Sequence, residues 1–114
     1  MTEKVTLVRR DGLPMPLINF AAPGDLAAWY AGNLLYALEK GEKDLAISCF
    51  DAGMVFGFDL AKTAQLVLKA VMDVLYDHPE AERLEIFCDG EAAWRAYSFC
   101  WNLWYAERKP SHEH

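Results

Sequence analysis

The chain has 114 residues, 54% of them hydrophobic and 25% charged, a balance that builds one globular domain and excludes an intrinsically disordered chain. Its formal net charge of -6 argues against nucleic acid or an anionic membrane as the main partner, because both are held by basic patches. Apolar runs fall short of bilayer-spanning length, and the N-terminal Met-Thr-Glu-Lys lacks the apolar core of a signal peptide, so a cytoplasmic protein that does not meet a membrane is expected.

Val5 to Arg10 is β-prone and is followed by Asp11-Gly12, a hairpin signal. Leu13 to Phe20 is the expected return strand, held to an edge by Pro14 and Pro16, which cannot donate to a ladder. Ala21-Ala22-Pro23-Gly24 reads as a turn. Asp25 is the expected cap of a helix running to about Lys40, where Gly41 ends it. One stripe of this helix is Ala27, Ala31, Leu34, Leu35 and Leu38, while Leu26, Trp29, Tyr30 and Tyr36 make its other sides apolar too, so it should be covered on more than one side.

Leu45 to Phe50 is a short apolar run of the kind buried on both faces in a parallel sheet. Asp51 to Phe58 forms a loop, and Asp59 is placed to cap the next helix, about Leu60 to Tyr76. That helix shows the most regular pattern in the chain. Leu60, Ala64, Val67, Leu68, Val71, Val74 and Leu75 share one face, opposite Lys62, Gln65, Lys69 and Asp73. After the break at His78-Pro79, Arg83 to Cys88 is a strand, Asp89-Gly90 a turn and cap, and Glu91 to about Lys109 a final helix stopped by Pro110. Residues 105–114 are expected to fray. Strands alternating with helices imply a single domain over 1–114, a three-layer α/β/α fold with a small mixed sheet.

The three cysteines, Cys49, Cys88 and Cys100, form no Cys-x-x-Cys motif. Zinc is therefore not expected, nor any other metal or cofactor, and the thiols read as small buried hydrophobes of a reducing compartment. His78 precedes Pro79 at a helix end and His112 and His114 lie in the tail, so no nucleophile–base pair can be named and catalysis is not expected. Asp51, Asp59 and Asp89 all fall at strand-to-helix joints, where capping is the favoured reading over metal or acid–base chemistry.

The segment with most to say about binding is Asp51-Ala52-Gly53-Met54-Val55-Phe56-Gly57-Phe58. It leaves a buried strand and enters a helix, the position where open α/β sheets bind ligands. Glycines there let backbone N–H groups converge on an anion, and the helix N-terminus adds positive potential. The alternative is that both glycines serve tight turning while Met54, Val55, Phe56 and Phe58 fill the core.

The order of residues from Tyr30 onward resembles the latter part of a macrodomain. The likeness runs through Tyr30-Ala31-Gly32-Asn33-Leu34-Leu35-Tyr36-Ala37-Leu38, Leu45-Ala46-Ile47-Ser48, the glycine loop and the helix after it. It continues through His78-Pro79-Glu80, Leu84-Glu85-Ile86-Phe87 and Asp89-Gly90-Glu91. Macrodomains bind ADP-ribose or related nucleotides, and some remove ADP-ribose from proteins. The resemblance implies that 51–58 is the phosphate loop, with Gly53 and Gly57 supplying backbone contacts and Phe56 covering the ribose. Three departures touch that site. One residue is inserted between the glycines, Asp51 and Asp59 stand where the family often has Ser and Pro, and the family's early Asn-rich loop finds no counterpart. A macro-like fold shortened at its N-terminus is expected.

The final helix carries a narrow polar stripe of Glu91, Arg95, Ser98 and Asn102 amid aromatic and apolar residues. This excess makes Trp94, Trp101, Trp104 and Tyr105 the candidate contacts of a homodimer or partner interface. Two functions follow: a module binding a nucleotide phosphate through 51–58, or a homodimeric or partner-binding module in which that loop is structural.

Overall fold

The computed structural model describes residues 4–12, 23–49 and 60–105. Six elements occur in the order β1 (Val5–Arg10), α1 (Pro23–Glu39), β2 (Asp44–Ser48), α2 (Leu60–Asp77), β3 (Arg83–Asp89) and α3 (Gly90–Trp104). The expected return strand Leu13–Phe20, the loop 51–58, the cap Asp59 and the tail 106–114 lie outside the described residues.

The three strands form one sheet in the order β1-β3-β2, and both pairings are parallel. Register places Val5 and Leu45 beside Leu84, and Leu7 and Ile47 beside Ile86. One sheet face therefore carries Val5, Leu7, Leu45, Ile47, Leu84 and Ile86, all buried except Leu7, which is partly so. The opposite face carries exposed Thr6 and Ala46 with partly buried Val8, Ser48, Glu85 and Phe87. The helices touch in the series α1–α2–α3, and α3 also rests on β1 and β3, so the described helices make one layer over the buried face. The α/β alternation is as expected. The described sheet is wholly parallel, and a helical layer on its second face is not among the described residues.

α2 buries the face its spacing predicts, with Leu60 partly covered, and adds Thr63, Ala70 and Met72. The burial is wider because α1 and α3 flank α2 on its two sides. α1 departs from expectation at its start and on its face. It begins at Pro23, whose missing N–H costs nothing in a first helical turn, so Asp25 lies inside that turn rather than capping it. Its buried stripe is Leu26, Tyr30 and Leu34, while Leu35 and Tyr36 are exposed. Gly41, at φ 90°, closes the helix as expected. Its N–H donates to the Leu38 carbonyl at 3.0 Å, and the Glu42 N–H donates to Ala37 at 3.1 Å, the paired bonds of a Schellman ending.

Candidate functional site

Because the strands are parallel, their carboxyl ends share one rim. Arg10, Ser48 and Asp89 are the last strand residues there, and the segments leading to α1 and α2 start from it. β3 passes directly into α3 through Gly90, whose φ of 82° suits a residue without Cβ.

Two hydrogen bonds define the rim. The Gly12 N–H donates to Asp89 Oδ1 at 2.8 Å, joining the exits of β1 and β3. Asp89 occupies the cap position of α3, as expected, but its side chain makes no capping bond to that helix; the carboxylate holds Gly12 instead. On the other side, the wholly buried Tyr30 of α1 donates its hydroxyl to the Ser48 carbonyl at 2.7 Å, pinning the end of β2. The next residue, Cys49, donates its N–H to Phe87 O at 2.9 Å, so β2 stays on the sheet up to the edge of the candidate loop.

Among the described residues, opposite charges pair at the rim. Arg9 lies 3.6 Å from Asp11 and 4.0 Å from Glu91, and Glu91 also pairs with Arg95 one helical turn on. The Arg10 guanidinium sits 5.3 Å from the centre of the Phe87 ring, in cation–π range. Sequence reasoning missed these contacts and the Tyr30 anchor. The one available signal was Asp11-Gly12, which reads as a turn but says nothing of Asp89, 77 residues away.

All three cysteines are buried and in the thiol state. The Cys88 thiol is pushed up by its hydrogen bond to Cys49 and by burial, which makes it a poor nucleophile. His78 lies at the far end of α2, with Nδ1 3.0 Å from Glu80 Oε2. Glu80 is lowered first by its own backbone hydrogen bond and then by His78. Among the described residues no group of three or more His, Cys, Asp or Glu could hold a metal ion, and no helix is long and apolar enough to cross a membrane. Of the three aspartates at strand-to-helix joints, Asp89 is described; Asp51 and Asp59 lie outside.

On α3, Trp94, Trp101 and Tyr105 pack partly against the core, and Trp101 and Tyr105 stack with centroids 5.6 Å apart. Trp104 is 57% exposed, as are Phe99 at 62% and Leu103 at 46%. The expected polar stripe is interrupted at Ser98. Its hydroxyl is buried and lacks a hydrogen-bond partner, in a groove of about 410 Å³ between α3 and β1 lined by Val5, Leu7, Trp94 and Trp101.

No protein-family model and no curated protein sequence matches the chain. Among solved structures it is similar to a Trypanosoma brucei macrodomain in complex with ADP, with a TM-score of 0.60 and 22% identity over 70% of this chain. The fold is that of part of a macrodomain. The likeness covers 34% of the trypanosome chain, so this chain spans about a third of the length of the macrodomain it matches. The macrodomain portion shared is an α/β one, in keeping with the parallel sheet and three helices described above.

Proposed function

We propose that the chain is a nucleotide-phosphate binding module that takes ADP-ribose or a related nucleotide on Asp51, Ala52, Gly53, Met54, Val55, Phe56, Gly57 and Phe58. The observation that carries this reading is the position of the loop's two ends. Cys49 leaves the carboxyl rim of a parallel sheet and Leu60 opens an 18-residue helix, in a fold shared with an ADP-bound macrodomain. The rim of such a sheet is where α/β folds bind ligands, and a helix N-terminus favours an anion. The function is binding without catalysis, in the reducing, cytoplasmic setting that three buried thiols suit. Thermal denaturation with added ADP-ribose and with ADP tests it. A ligand selective for the folded state raises Tm with concentration, and an unmoved Tm at millimolar ligand counts against the reading.

A second reading, a homodimer, is favoured by the exposed side chains of Phe99, Leu103 and Trp104 toward the end of α3. Three large apolar side chains left open in the last turns of one helix are candidates for burial against a second copy. Sedimentation is expected to show a dimer that Trp104→Glu dissociates; a monomer at high micromolar concentration rules this reading out.

A further inference from the structure

The register of the sheet brings two cysteines together. The paired residues Leu45/Leu84 and Ile47/Ile86 share the buried face of β2 and β3, and the next such pair up the strands is Cys49/Cys88. Ser48 pairs with Phe87, and the Cys49 N–H donates to Phe87 O at 2.9 Å, so the ladder persists to this level. Both side chains are buried, and the neighbouring Cys49 thiol is one of the groups that push the Cys88 thiol up.

The geometry points to Cys49 and Cys88 as an oxidative modification site, closed to a cross-strand disulfide by a small hydroperoxide. Neighbouring strands lie about 4.8 Å apart, inside the Cα separation of roughly 4.4–6.8 Å that a disulfide spans. A bridge also needs the Cβ atoms somewhat closer than strand spacing alone provides. Cys49 lies one residue past β2, so that adjustment falls at the end of the strand rather than within it. Burial selects the oxidant: hydrogen peroxide, only one oxygen larger than water, reaches the pair through local opening, whereas a bulky disulfide such as glutathione disulfide does not.

Hydrogen peroxide converts the Cys49 thiol to a sulfenic acid and leaves as water. The same local opening exposes Cys88 and lets it ionise; its thiolate attacks the Cys49 sulfur, the S–S bond forms as the S–O bond breaks, and the departing hydroxide takes up the proton Cys88 released, leaving as a second water. Two thiols lose two electrons in total, and the peroxide O–O bond accepts them. With both thiols covered and the Cys88 thiol pushed up, the pair is slow to react and stays reduced until peroxide rises. The bridge forms at the root of the segment that carries 51–58, and it stands independently of whether that segment binds a nucleotide.

The test treats the folded chain with hydrogen peroxide, then denatures it, alkylates it with N-ethylmaleimide and weighs it. The reduced chain takes up three maleimides, one for each of its three thiols. The oxidised chain is expected to take up one and to weigh two hydrogens less, with peptide mapping joining Cys49 to Cys88. Cys100→Ser is expected to keep the cross-link, and Cys88→Ser to lose it. Because mapping on the unaltered chain gives the pairing directly, the result does not depend on a variant folding. Three reactive thiols after prolonged peroxide, a stable sulfinic acid at either position, a bridge to Cys100, or uptake of glutathione in place of the bridge overturns the assignment.

Discussion

The Tyr30 hydroxyl donates to the Ser48 carbonyl at 2.7 Å, and this bond ties the first helix to the strand end from which the candidate loop departs. The phenol ring is wholly buried, so its oxygen needs a partner, and the last carbonyl of β2 supplies one. Tyr30→Phe keeps the ring and leaves that carbonyl without its donor. The expected cost is about 1–2 kcal/mol, read as a lower urea midpoint at constant m-value. An unchanged midpoint shows that the bond contributes nothing.

The Gly12–Asp89 bond gives a second, separable prediction. Asp89 stands at the cap position of α3 but spends its carboxylate on Gly12. Asp89→Asn retains an oxygen for that N–H and is expected to be nearly neutral, whereas Asp89→Ala loses about 1 kcal/mol. Equal losses in the two variants assign the effect to the charge beside the helix N-terminus rather than to the hydrogen bond.

α2 should divide sharply between its faces. Leu68 is wholly buried in the core, and Leu68→Ala is expected to cost about 2–5 kcal/mol. Lys69, one residue on, makes an exposed 2.9 Å pair with Asp73, which raises its pKa, yet solvent screens the pair. Lys69→Ala is expected to leave the denaturation midpoint unmoved. Comparable losses at both positions contradict the burial pattern.

The same pattern explains how much could be read from sequence. α2 was legible because its apolar spacing is regular and its outward positions are charged, so a 3.6-residue period decides it without tertiary information. α1 was legible as a helix but not in its orientation. With Leu, Tyr, Trp and Ala on every side, its buried stripe of Leu26, Tyr30 and Leu34 was chosen by what it packs on. Its start was read late because Pro23-Gly24 scores as a turn, although Pro fits a first helical turn equally well. Ser98 looked like part of a solvent-facing stripe, and packing of α3 against β1 turned it inward. At the rim, the ends of the strands could be anticipated, but the contacts that organise them join residues as distant as Gly12 and Asp89. No local pattern encodes such a pair. The loop 51–58 lies outside the described residues.

The buried Cys88 thiol predicts a pH dependence. The Cys88 thiol is pushed upward in the folded chain by its bond to Cys49 and by burial, while the unfolded thiol ionises near pH 8.5, a value of about that size being usual. Below that pH both states hold the proton and stability is unaffected. Above it the unfolded chain releases a proton that the folded chain keeps, so stability falls as pH rises. Denaturation midpoints are expected to decline above about pH 8.5, less steeply in Cys88→Ala. An identical slope in that variant removes Cys88 as the source.

The central claim is that the segment between Cys49 and Leu60 binds a nucleotide phosphate, and calorimetric titration of ADP-ribose into the chain tests it most directly. The account predicts saturable heat with one ligand per chain. It also predicts roughly tenfold weaker binding in Gly57→Val, the ~1.4 kcal/mol expected when a charge-assisted backbone contact is blocked. Absence of heat at millimolar ADP-ribose, or equal affinity in the Gly57→Val variant, contradicts it.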